Sequence, residues 1–476
     1  MLIFKQDGGA AVRHGSTVAF VARLVYLAHG LRGSLYASLA LAKRLQADGH
    51  EITFLSFRDV SADVEANGFD FELLSDGPEA EARFRASIAS RGRLRSLRLG
   101  RQLRSQLIHS TEARQAIARI EPELMIIDAE MHAVILATRA LEIPTILAIP
   151  WFSPYRAPGH PALHTELRPS TSFLGRRRID AAWEWHRLRR RVHRRLGSLT
   201  RRAIRHQVTP FHLNTPNLAT IRALADFHGV DLDAITSWRN WISPVMYPGI
   251  PLISYTAAEM DFPHETPSEF TWVGVVLDEQ RPETMVSEQT RRRWETFRDE
   301  MLAAERPIIY ASMGSMQTGD PTFYRRIVRV ARNRSDWAVV LGLGAQADLS
   351  VLGALPPNVL ALDYAPQLDV LRDASAAIHH AGIGNVNECA HFEVPSLVAS
   401  SGFVDEPGCA ARVDHHGLGL SIAEDSLDDL RLEQALDELL QDPRFSRNLA
   451  AMRTALDFYE ANRVPEELVR KALTEH

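Results

Sequence analysis

At 476 residues the chain is too long for one hydrophobic core, so two domains are expected. With 45% hydrophobic and 24% charged residues it has a globular make-up, which excludes a disordered or fibrous chain. The formal net charge of −5 gives no pull toward nucleic acid, and two cysteines, Cys389 and Cys409, exclude a disulfide framework and favour a reducing cytoplasm.

Residues 1–16 read as an N-terminal extension, without the apolar run of a signal peptide. Arg23 to Ala28 is a short apolar run suited to a buried strand. Gly30-Leu31-Arg32-Gly33 then makes a tight turn. Leu35, Leu39, Leu41, Ala42 and Leu45 follow at helical spacing until Gly49, and Glu51 to Phe57 is the next strand. This βαβ unit implies a parallel sheet. The pattern returns with a strand at Leu124 to Asp128, a helix at Ala133 to Leu141 and a strand at Pro144 to Ile149. The apolar segment Val134 to Pro150 holds Arg139 and Glu142 and is too short to span a bilayer. Strands at Phe211 to Thr215 and Leu252 to Tyr255 close the first unit, 17–259.

Segment 260–288, with Pro263, Pro267, Pro282 and many acids, reads as an interdomain linker. A second series fills 289–455. Its strands are Pro307 to Ala311, Trp337 to Leu341, Val359 to Leu362, Ala376 to His379 and Ser396 to Ala399. Its helices are Phe323 to Asn333, Leu368 to Arg372 and Asn385 to Phe392. The expected class is α/β, two Rossmann-like domains with parallel sheets facing a cleft, and ligands at the carboxyl ends of the strands.

Strand Ala376 to His379 runs into His380-Ala381-Gly382-Ile383-Gly384 and then a helix. A helix N-terminus offers free N–H groups and a partial positive charge, which suits a pyrophosphate, and small residues let the backbone approach. Ser312-Met313-Gly314-Ser315, at another strand end, is a second anion cradle. Glu388 is placed to accept ribose hydroxyls, Tyr364 offers a flat face for a base and Gln367 an amide beside it. Taken singly, His380 is a turn residue, Glu388 a solvated helix residue and Tyr364 a packing residue.

Their joint order, from Tyr364-Ala-Pro-Gln367 through His380-Ala-Gly382 and Glu388 to Asp405-Glu406 before Ala411-Arg412-Val413, resembles the donor site of the family 1 (UDP-dependent) glycosyltransferases. The likeness covers about 308–420 well and the first βαβ unit moderately. The resemblance implies a GT-B fold with the acceptor on the first domain and the donor on the second, and a final helix, within 456–476, packed back on the first domain. It implies that Tyr364 and Gln367 face uridine and that His380 and Ser315, with Gly382, Gly384 and Asn385 at the helix mouth, meet the diphosphate. Glu388 takes the ribose and Asp405 and Glu406 the hexose. Glu406 stands where the family usually has Gln, and an ionised carboxylate accepts hydrogen bonds but does not donate them. No cofactor or metal is implied beyond the UDP-sugar co-substrate (dTDP-sugar is the lesser alternative). The histidine pairs His379-His380 and His415-His416 lack a third ligand nearby, and neighbours on a strand face opposite ways.

The family's reaction inverts the anomeric carbon and needs a proton acceptor for the attacking hydroxyl. Where the family places that base, this chain has Ser34, which is no base. Three readings stay open: His29 takes the role, Asp128 takes it, or the chain binds a nucleotide-sugar without turning it over. The plainer readings are a polar loop residue for His29 and a helix N-cap for Asp128.

Residues 176–206 carry a dense run of arginines opposed only by Asp180 and Glu184, with Trp183 and Trp185 inside it. Such a helix suits an anionic membrane surface, an acidic acceptor, or simple solvation over the acceptor cleft. Arg83 to Arg104 is also basic.

Overall fold

The computed structural model describes residues 21–74, 111–196, 218–236, 246–313, 321–344, 349–402 and 405–475. The expected extension at 1–16, the basic stretch 83–104, the strand at 211–215, the end of the Arg-rich run and Ser315 lie outside the described residues.

Two sheets organise the chain. The first holds β1 (Arg23–Leu27), β2 (Glu51–Ser56), β3 (Asp70–Leu73), β4 (Leu124–Asp128), β5 (Thr145–Ile149), β6 (Leu252–Ser254) and β7 (Phe270–Trp272), in the order β3-β2-β1-β4-β5-β6-β7. The second holds β8 (Ile308–Ser312), β9 (Ala338–Gly342), β10 (Val359–Leu362), β11 (Ala374–His379), β12 (Ser396–Val398) and β13 (Gly419–Ser421), in the order β10-β9-β8-β11-β12-β13. Every pairing is parallel. Helices cover both faces, which is why the strands read as unbroken apolar runs rather than alternating ones. On one face of the first sheet Val25, Leu27, Met125 and Ile127 pack with Val134, Ile221 and Leu224. On the other, Leu24, Tyr26, Phe54 and Ile126 pack with Leu35 and Leu39.

The segment read as a linker is corrected in part. β7 lies inside it and pairs with β6, so the first sheet extends to Trp272 and the crossing chain is 273–287. Three residues among prolines carry too little periodicity to be seen as a strand. The last helix, Val464–Thr474, returns to the first unit: Val469 is 1% exposed in the core beside helix Arg32–Ala47, and Arg463 pairs with Asp48 at 2.6 Å.

The two units share a core. Phe152, Leu163, Ile179, Trp183 and Met260 pack against Ile383, Val386, Cys409 and Val413. Gly408 N–H donates to the Leu163 carbonyl at 2.7 Å and Asn387 Nδ2 donates to the Tyr255 carbonyl at 3.0 Å. A methyl group on Gly408 would collide with the Leu163 backbone, so glycine permits this approach. Strand order reverses between β1 and β4 in one sheet and between β8 and β11 in the other, and crevices for ligands open outside the strand ends at such points.

Candidate active site

At the second reversal His379 ends β11 beside Ser312 at the end of β8. Ala381 takes the left-handed backbone conformation, φ 72°, and its N–H donates to His379 Nδ1 at 3.1 Å. Burial pushes His379 down to about 3 and His380 down to about 4, so both rings are neutral at pH 7. Helix Ile383–His391 follows, with no side chain capping its first turn, which leaves N–H groups open. A Cβ on Gly382 would stand 2.7 Å from His380 Nε2. Gly384, the second residue of the helix, faces Gly33 of the first unit, where a Cβ would be 3.9 Å from the Gly33 Cα. Helix Ile383–His391 therefore begins against the loop that carries Ser34.

Gln367, Asn385 and Glu388 come together. Gln367 Nε2 donates to Asn385 Oδ1 at 3.0 Å and to Glu388 Oε2, while Tyr310 donates its hydroxyl to Gln367 Oε1 at 3.1 Å. Tyr364 is half-buried and stands just before helix Gln367–Asp373, which opens on Gln367. The second oxygen of Glu388 has a partner that sequence reasoning missed. Arg281 Nη1 lies 2.6 Å from Glu388 Oε1, with side-chain exposures of 7% and 8%. The guanidinium also sits 4.3 Å from the centre of the Tyr36 ring. One arginine of the crossing chain thus touches both units. Two buried charges tolerate the interior only as a pair. A lone basic residue among Asp278, Glu279 and Glu283 was the available signal, and it does not say where the side chain goes. Burial pushes the neighbouring Glu283 up to about 7.

Asp405 and Glu406 part company. Glu406 Oε2 accepts from the Ser401 N–H at 3.0 Å and hydroxyl at 2.8 Å, and the residue is 3% exposed. It clamps a loop. Asp405, beside Cys409 Sγ at 3.8 Å, is pushed up to about 7, first by burial and then by Glu406.

Across the cleft Asp128 ends β4 at the first reversal. Ser34 Oγ donates to its Oδ2 and the Glu130 N–H to its Oδ1, both at 3.0 Å. This is an Asx turn; helix His132–Thr138 starts later, from Met131, without a side-chain cap. Burial pushes Asp128 up to about 6, against the pull of the two hydrogen bonds. Glu130, also buried, is pushed well above its ordinary range by burial and by Asp128 and Asp405. His29 stands just past β1, 7% exposed.

Among the described residues, His160, Asp261 and His264 bring three ligand atoms within 4.8 Å. A cation already serves them: Arg412 Nε is 2.7 Å from Asp261 Oδ1, and its Nη2 is 3.3 Å from His160 Nε2. Arg412, 1% exposed, ties the second unit to the first.

Known proteins resemble this chain over part or all of its length. Residues 328–474 match the family model "Erythromycin biosynthesis protein CIII-like, C-terminal domain". The oleandomycin glycosyltransferase of Streptomyces antibioticus is 33% identical over 172 residues, 36% of this chain and 40% of that protein. The zeaxanthin glucosyltransferase of Pantoea ananas is 24% identical over 87% of this chain and 88% of its own. The chain spans about two fifths of the length of the first curated relatives it matches, 42% and 40%. A crystal structure of the glycotransferase of kitacinnamycin superposes with a TM-score of 0.65 at 21% identity, covering 95% of this chain and 99% of that one. The fold is GT-B. The chain is similar in sequence to glycosyltransferases, and residues 328–474 carry the match to the family model.

Proposed function

We propose that the protein transfers a hexose from a UDP-sugar to a hydroxyl of a small lipophilic acceptor, with inversion, Asp128 accepting the proton. The observation that carries this reading is the Ser34–Asp128 hydrogen bond of 3.0 Å, set beside the Gly33–Gly384 contact where the donor-side helix begins. A carboxyl pushed up to about 6 is ionised at neutral pH yet basic enough to take a proton. Ser34 orients it. The acceptor oxygen bonds to the anomeric carbon as its proton passes to Asp128. The bond from that carbon to the diphosphate breaks and UDP leaves. The open N–H groups of helix Ile383–His391, with Gly382, Gly384 and Asn385, receive the diphosphate, and neutral His380 adds a donor. Ser315 joins them in this reading. Gln367 and Tyr364 meet the base, Glu388 the ribose and Asp405 the sugar. A ribose-binding Glu388 favours UDP over dTDP, which lacks one of the hydroxyls. No cofactor or metal enters.

A second reading, a nucleotide-sugar-binding protein without turnover, draws on one observation: both oxygens of Glu388 are engaged by Arg281 and Gln367. UDP release from UDP-glucose across an acceptor panel, run beside thermal shift with UDP and dTDP, separates the two. Acceptor-dependent release supports transfer. A thermal shift with no release for any acceptor supports silent binding. Substituting His29→Ala beside Asp128→Ala assigns the base, and full transfer in both removes the mechanism.

A further inference from the structure

Helix Phe173–Leu196 has two faces. Ile179 and Trp183 enter the core between the units, and Trp183 Nε1 donates to the His160 carbonyl at 2.9 Å. Trp185 does the opposite: it is 65% exposed against 4% for Trp183. Phe173, Leu174 and Leu188 are likewise exposed, at 71%, 79% and 51%. Leu174, Ala181, Trp185 and Leu188 fall on one stripe at helical spacing. Arg177, Arg178 and Arg189 are exposed beside that stripe, and Arg176 is exposed in the first turn.

The acids of the helix do not neutralise this face. Arg156 holds both, Asp180 and Glu184, at 2.8 Å, and Glu184 pairs with Arg187 as well. Among the described residues Arg176, Arg177, Arg178 and Arg189 enter no ion pair. What faces outward is therefore large apolar groups among unneutralised guanidiniums. The helix runs on to Leu196, and its sequence adds Arg190, Arg191, Arg194 and Arg195.

We propose that this face docks the protein on an anionic phospholipid bilayer. The arginines complement acidic headgroups, and the stripe enters the boundary between headgroup and acyl chain, with Trp185 at headgroup level. An acidic protein would satisfy the charges but has no matching need for a row of isolated, protruding Leu and Trp side chains. Docking here is independent of the transfer chemistry. It sets the face of the helix opposite Ile179 and Trp183 against the lipid.

The test is sedimentation of the full chain with phosphatidylcholine vesicles with and without phosphatidylglycerol, at low and high salt. At low salt the anionic vesicles should carry down about tenfold more protein than the neutral ones, and high salt should remove most of that excess. The variant Leu174→Ser/Trp185→Ser/Leu188→Ser and the variant Arg177→Glu/Arg178→Glu/Arg189→Glu should each lose it, with thermal midpoints unchanged. No excess on anionic vesicles overturns the proposal. So does an excess that survives in both folded variants. Retention on polyglutamate resin without vesicle binding also overturns it, in favour of an acidic protein partner.

Discussion

Ser34 Oγ donates a 3.0 Å hydrogen bond to Asp128 Oδ2 across the first sheet's reversal point, joining the start of one helix to the end of β4. The residue that stands where a base was expected serves the carboxylate instead.

That arrangement has a stability signature. Burial pushes Asp128 from 3.8 up to about 6, so the folded chain holds this proton more tightly than the unfolded chain. Stability from this group is highest below pH 3.8 and falls as pH rises through about 6, a loss of roughly 3 kcal/mol. Asp128→Asn should therefore stabilise the protein at pH 7 by about 1–3 kcal/mol and have little effect near pH 4. Urea unfolding at both pH values checks this. Ser34→Ala removes a donor to the carboxylate and should move the pH dependence upward.

Arg281 and Glu388 form a buried ion pair at 2.6 Å. Arg281→Ala strands a buried carboxylate and should cost about 3–5 kcal/mol. The double variant with Glu388→Ala should lose less than the two single losses added together, because the residues are in contact. Chemical denaturation of all four proteins measures that coupling. In UDP titration, Glu388→Ala should weaken binding about 10- to 100-fold, the worth of a hydrogen bond to a charged group.

Ala381 sits at φ 72°, a conformation that glycine adopts without a Cβ penalty. Ala381→Gly should stabilise the fold by about 0.5–1 kcal/mol, the backbone gain being partly offset by the freer unfolded chain. A rise in the thermal midpoint shows it. A fall would mean that buried packing of the methyl group outweighs the strain.

Gly408 lets the two units approach at Leu163. Gly408→Ala should cost about 1–3 kcal/mol and loosen the pair. Small-angle scattering should report a larger radius of gyration. An unchanged radius with unchanged stability would mean that the contact holds nothing together.

Much of this architecture is legible in the residues. Leu24 to Ala28 is apolar throughout and Gly30 closes the turn, so the first βαβ unit shows itself, as do the strands ending at Asp128 and His379. β7 and β13 are three-residue strands, too short for a period to declare itself. In the site, Gln367 is hydrogen-bonded to Asn385 and Glu388. Arg281 was not found, because its partner is 107 residues away and ion pairing leaves no local pattern. The resemblance implies a sugar-facing Glu406; its bonds to the Ser401 N–H and hydroxyl are not legible in the sequence, because loop contacts five residues apart leave no periodic pattern.

The central claim is that Asp128 accepts the acceptor's proton. Acceptor-dependent UDP release from UDP-glucose, measured for wild type and Asp128→Asn together with UDP affinity, tests it most directly. The account predicts a loss of about 10²–10⁴ in turnover with UDP affinity unchanged. An Asp128→Asn protein that turns over at the wild-type rate would contradict it.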